Sequence, residues 1–239
     1  MTFSLRTLLL TILGGVFFCS AQNEPAPGRS GENEWGIWYM YFGMNQVSKR
    51  WSIHTEAQFR YFETSGNFNQ LLLRTGGNYH ISPNAIATLG YAFIETDGTF
   101  ESIPGEENSK ENRIFQQFIL KNKVWEFAFE HRYRLEQRFI DFGNREETQH
   151  RARYRLQLTL PLTDIFFLNF YDEIFINLQD NLFGQNRLYF AGGIHITDNS
   201  SLQLGYLRNQ FTNEVFDRWQ IGFFYNPDLR GIFKRKGQG

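Results

Sequence analysis

Along residues 124–160 polar and apolar side chains alternate with a period of two. In the first run Glu126, Glu130, Arg132, Arg134, Glu136 and Arg138 share one parity, and Trp125, Phe127, Phe129, His131, Tyr133 and Leu135 share the other. In the second run Arg151, Arg153, Arg155, Gln157 and Thr159 alternate with Ala152, Tyr154, Leu156, Leu158 and Leu160. Successive side chains of a strand point to opposite faces, so each run has one charged face and one apolar face. A helix would scatter the same arginines around its whole circumference, and the period therefore predicts strands. Soluble strands commonly have about 5–6 residues. These runs exceed ten and match the roughly 9–11 residues with which a tilted strand crosses a bilayer.

The rest of the chain repeats the theme. Strands are predicted over 34–45, 51–62, 69–81, 85–96, 113–121, the two runs above, 165–178, 186–197, 201–211 and 217–226. The segment 34–45 is apolar on both faces, and the facing of 113–121 is ambiguous. Short connections (47–50, 82–84, 122–123, 161–164, 198–200) alternate with longer polar ones (63–68, 97–112, 141–147, 179–185, 212–216). Bacterial outer-membrane barrels show this rhythm, with short periplasmic turns and longer external loops. The expected fold is all-β: a transmembrane antiparallel up-and-down β-barrel. Because such barrels normally have even strand numbers, about 12 strands are expected, one of them hidden in the lead or the tail, with 10 as the fallback.

Composition supports this class. Aromatic residues make up 18% of the 239, including 26 Phe, which suits an apolar outer surface with interfacial girdles. Beyond the N-terminus no apolar run approaches the length of a membrane-spanning helix. Residues 1–21 form a predicted secretory signal, with Arg6 before an apolar stretch and small residues up to Ala21. The expected organisation continues with a flexible lead over 22–33, the barrel over 34–226 and a basic tail over 227–239. Cys19 is the single cysteine and would leave with the signal, so thiol chemistry and disulfides are not expected. The net charge of −1 gives no argument for nucleic acid as a partner. The five histidines lack metal-ligand spacing, and neither a cofactor nor a metal is expected.

Several local stretches point to one family. These are Glu34-Trp35, residues 47–51 (VSKRW), Glu56 with Arg60, residues 131–139 (HRYRLEQRF) and residues 171–175 (YDEIF). With them, nearly the whole chain after the signal resembles the uncharacterised Bacteroidota-type outer-membrane β-barrel family, domain of unknown function 2490. The resemblance implies an outer-membrane barrel of a Gram-negative bacterium and brings no established activity or site residues.

The candidate site is a lumenal charged wall of Glu126, Glu130, Arg132, Arg134, Glu136, Arg138, Arg151, Arg153, Arg155 and Glu173. Guanidinium forks suit carboxylates and phosphates, and the same groups could equally form an ion-pair network that stiffens the barrel. Trp51, Trp125 and Trp219 are expected at the membrane interfaces. His80 and Ser82 share a strand face, a spacing used in base-activated serine chemistry, but Ser82 precedes Pro83 in a turn and no acid is evident. The acidic stretch 97–112 could hold calcium or be a solvated loop. The expected function is a non-enzymatic outer-membrane barrel, either a narrow channel for small, possibly anionic, solutes or a structural envelope protein. Alternatives are an outer-membrane lipid-modifying enzyme and a soluble periplasmic barrel whose apolar parity faces inward around a small apolar ligand. Expected partners are outer-membrane lipid, lipopolysaccharide and the barrel assembly machinery.

Overall fold

The computed structural model describes residue 31 and residues 33–64, 66–100, 107–179 and 181–231. The expected signal, most of the lead and the end of the tail lie outside the described residues. Eleven strands form one closed barrel: β1 (Gly36–Gln46), β2 (Trp51–Tyr61), β3 (Phe68–Ser82), β4 (Ala85–Thr96), β5 (Ser109–Val124), β6 (Phe127–Asp141), β7 (Glu146–Pro161), β8 (Phe166–Asn177), β9 (Phe183–Thr197), β10 (Ser200–Gln210) and β11 (Val215–Tyr225). Sequential neighbours pair antiparallel around the ring, while β1 and β11 close it in parallel.

That parallel seam corrects two expectations at once. The barrel has eleven strands rather than 12 or 10, and it is mixed rather than wholly antiparallel. The cause is the end at which the chain enters. Arg218 donates to the carbonyls of Glu34 (2.8 Å) and Gly31 (3.2 Å), and Gly31 packs beneath Phe62 and Phe100. These contacts hold the entry to β1 at the long-loop end. A strand that starts there runs the same way as the eleventh, so closure must be parallel. The chain also stays on the barrel past residue 226. Gln46 N donates to Pro227 O at 2.9 Å and Leu229 N to Gln46 O at 2.8 Å.

Two boundaries differ from the expected ones. The β5–β6 turn is Trp125–Glu126, not 122–123, because Val124 still pairs with Phe127. Trp125 takes φ 54°, the positive value that primed two-residue hairpin turns require at their first central position. β5 starts at Ser109, which shortens the acidic loop and places Glu111 inside the barrel wall.

The parities sort as membrane-barrel patterning predicts. Trp51, Ile53, Leu73, Leu89, Tyr91, Tyr133, Leu135, Leu156, Leu204 and Phe223 are exposed on the outside. Glu56, Arg74, Arg113, Arg134, Glu136, Arg153 and Glu173 are buried within. The soluble alternative with an apolar interior is therefore wrong. Among the described residues the inside carries two small apolar clusters: Trp38, Tyr189, Ala191 and Leu207, flanked by Met40 and Tyr171, and Leu72 with Ala92 and Ile94. The first explains why β1 looks apolar on both faces. Gly90 is obligatory for a packing reason, since a Cβ there would collide with the Phe115 ring and approach Thr75 O at 2.6 Å.

Candidate functional site

The β5–β8 wall carries the charge. Its register sets Arg132 opposite Arg155, Arg134 opposite Arg153 and Glu136 opposite Arg151 across β6 and β7. Arg155 in turn faces Glu173 on β8. Like charges directly opposed across strands repel. The wall answers this by letting each carboxylate serve several guanidiniums diagonally.

Glu136, almost wholly buried, is the hub. Its Oε2 accepts from Arg151 Nε (2.9 Å) and Nη2 (2.6 Å), and its Oε1 accepts from Arg153 Nη1 (2.8 Å). Arg113 and Arg134 approach the same Oε1 at 3.5 and 3.6 Å. Glu173 Oε1 accepts from Arg132 Nη2 (2.7 Å) and from Arg153 Nε (3.1 Å) and Nη2 (2.9 Å). Glu130 takes Arg155 Nη2 at 2.6 Å, with Lys121 Nζ 3.8 Å away. Glu111 receives Arg138 through Nε (3.0 Å) and Nη2 (2.8 Å), and Arg113 Nε at 2.6 Å. Across the lumen Glu56 binds Arg74 Nη1 at 2.5 Å and His54 at 3.0 Å.

Aromatic rings seat the guanidiniums. Phe175 carries Arg153 at 4.1 Å, Arg187 at 4.7 Å and Arg151 at 5.1 Å from its centroid. Trp38 carries Arg60 at 3.8 Å and Arg187 at 5.1 Å. Phe115 carries Arg134 at 4.9 Å and Arg74 at 5.4 Å. The negative face of a ring attracts a cation without neutralising it, so these contacts hold charge in place and leave it electrically active. Among the described residues, four buried guanidinium nitrogens lack hydrogen-bond partners: Arg74 Nε, Arg132 Nε, Arg134 Nη1 and Arg155 Nε. Around them lies a cavity of about 1270 Å³, lined from the β1–β2 turn end (Met44, His54) to the long-loop end (Phe100, Arg218).

Of the expected wall, Glu130, Arg132, Arg134, Glu136, Arg138, Arg151, Arg153, Arg155 and Glu173 all join this network. Glu126 does not. It is exposed in the β5–β6 turn, because the strand starts one residue after it. Glu111, Arg113, Glu56, Arg74, Arg60 and Arg187 also belong to the charged interior, beyond the residues expected there. The alternation of 51–62 already set Glu56 and Arg60 on the polar parity, so a search of every strand for that parity would have found them.

The three tryptophans expected at the interfaces fall at both ends of the barrel. Trp51 packs on Tyr79 (5.0 Å) near the short turns, and Trp125 at a turn tip is 72% exposed. Trp219 stacks on Trp35 (5.7 Å) towards the long-loop end. Ser82 accepts from Asn84 N at 3.2 Å as a turn serine. His80 instead contacts Ser52 Oγ at 2.8 Å, so the His80–Ser82 pair considered from the spacing does not form.

No curated protein matches the chain. Among solved structures it is similar to one described as the NanC porin structure in rhombohedral crystal form, at a TM-score of 0.49 and 10% identity, covering 80% of this chain and 98% of that one. The family model described as "Protein of unknown function (DUF2490)" matches residues 35–220, most of the chain, and the chain belongs to that family.

Proposed function

We propose that the barrel spans an outer membrane and that its lumen is a water-filled path selective for small anions. The observation that carries the reading is the charge of the cavity walls. Among the described residues, eleven arginines and Lys121 line the cavity, against Glu56, Glu111, Glu130, Glu173 and Glu214. Counting Glu136, buried behind the arginines, the cations still outnumber the acids two to one. A confined wall of one sign raises the local concentration of the opposite ion and sets the selectivity of a pore.

Membrane insertion is supported by dimensions and girdles. The shortest strands have 11 residues. At about 3.3 Å per residue and a tilt near 40°, such a strand covers roughly 28 Å, close to the height of a hydrocarbon core. The aromatic pairs Trp51–Tyr79 and Trp35–Trp219 flank the apolar exterior from opposite ends, as interfacial belts do. In this reading the chain catalyses nothing, its neighbours are lipid and lipopolysaccharide, and the assembly machinery inserts it.

Planar-bilayer recording of the refolded protein across a salt gradient tests the proposal. Current steps with a reversal potential displaced towards the anion equilibrium potential are expected. Cation preference, or no steps at all, would count against it. A structural role is the second reading. It is favoured by the Glu136 hub, which ties guanidiniums of β5, β6 and β7 to one carboxylate and braces the wall.

A further inference from the structure

Arg132 and Arg155 stand directly opposite each other across the β6–β7 hairpin. Opposed side chains in an antiparallel pair have Cβ atoms about 4.5–5.5 Å apart, where like charges destabilise. Each guanidinium is tied on one side only, Arg132 through Nη2 to Glu173 and Arg155 through Nη2 to Glu130. The Nε of each is buried without a partner. The Nη1 of each makes no hydrogen bond among the described residues, and both side chains keep an edge in the cavity wall, 12% and 16% exposed.

The local acids do not balance the local bases. Glu173 is shared by Arg132 and Arg153, and Glu130 by Arg155 and Lys121, so four cations share two carboxylates. Arg153 has Glu136 as well, but that carboxylate already serves Arg151. Tyr171 lies against Arg155, its ring centroid 5.4 Å from that guanidinium carbon, and is stacked on Tyr189. Two anchored forks with open edges, an excess of positive charge and an adjacent aromatic ring make a receptor for an oxygen anion.

We propose that Arg132 and Arg155 form an oxyanion station in the lumen, which takes a carboxylate or phosphoryl group of a small solute between their open edges. The station rests on the reading of the lumen as an anion path and names the solute class that dwells there. Chloride can pass such a site, but it cannot span two forks with two oxygens. An oxyanion would therefore linger and obstruct chloride current.

The test uses the refolded barrel and the double variant Arg132→Lys/Arg155→Lys, which keeps both charges and removes both forks. Wild-type chloride current should fall as succinate or phosphate is added. The half-blocking concentration of the double variant should rise about tenfold or more, the loss expected from one charge-assisted hydrogen bond. Arg145→Lys, in the exposed β6–β7 loop, should leave the block unchanged. Block by succinate alone would assign the site to carboxylates, and block by both anions to oxyanions in general. Anion-selective current that neither anion obstructs, or a block that the double variant leaves intact, would overturn the station and spare the channel. If the protein passes no current, titration calorimetry with the same two anions in detergent decides the matter. Binding heat that the double variant loses would support the station, and absence of heat would overturn it.

Discussion

Glu136→Gln should be the most damaging single polar substitution in the lumen. The side chain is fully enclosed and accepts three hydrogen bonds from Arg151 and Arg153, with Arg113 and Arg134 within 3.6 Å. Glutamine preserves the shape but removes the charge and replaces one acceptor oxygen with a donor that faces donors. Removing one partner of a buried ion pair costs about 3–5 kcal/mol, because the surviving charge stays buried without compensation. Urea unfolding of proteins has slopes of about 1–3 kcal/mol per molar. At the steep end, the midpoint for this variant should fall by at least about 1 M. Glu130→Gln is the internal control. Its carboxylate is 21% exposed and holds one close arginine, with Lys121 at 3.8 Å. About 1 kcal/mol and well under half the shift are expected there. The assay is tryptophan fluorescence of chains folded into lipid vesicles across a urea series. Equal shifts for the two variants, or an unchanged midpoint for Glu136→Gln, would refute the view of Glu136 as the hub.

Other perturbations separate packing, lipid contact and anchoring. Gly90→Ala places a methyl against the Phe115 ring and Thr75 O. It should cost about 1–3 kcal/mol and disturb the seats of Arg74 and Arg134, read as a lower unfolding midpoint together with altered conductance. Leu73→Arg puts a charge on the outer face of β3 and should cost roughly 2–4 kcal/mol in vesicles. A surface that faced water would accept it with no measurable loss. Arg218→Ala frees the Gly31 and Glu34 carbonyls at the long-loop end, and limited proteolysis should then cut ahead of β1 sooner than in the wild type.

Much of this was legible in the sequence, for a simple reason. Where one strand face meets water or charge and the other meets an apolar medium, a period of two is compulsory; 151–160 shows it without interruption, and 51–62 and 127–138 show it with few exceptions. The pattern failed where the lumen itself is apolar. Trp38, Met40 and Phe42 point inward on β1, and Phe115 and Ile119 do so on β5, so polarity does not sort the faces there. That is why the facing of 113–121 is ambiguous in the sequence, and why Glu111 reads as part of the acidic loop instead of as a partner of Arg113 and Arg138. The strand number followed from a rule about antiparallel closure. No local pattern reports how the first strand meets the last, and the entry at the long-loop end, fixed by Arg218, is a contact across 187 residues of sequence. Asn122 suggested a turn, but pairing of Val124 with Phe127 carried the strands two residues further, leaving Glu126 at the tip.

In the proposed channel the arginine parity meets water while the apolar parity meets lipid. Single cysteines placed along β7 at residues 155, 156, 157 and 158, in vesicle-reconstituted protein beginning after residue 21, test it most directly. A water-soluble, membrane-impermeant thiol reagent should modify positions 155 and 157 and spare 156 and 158. Modification of 156 and 158 instead, or of all four alike, would contradict the account.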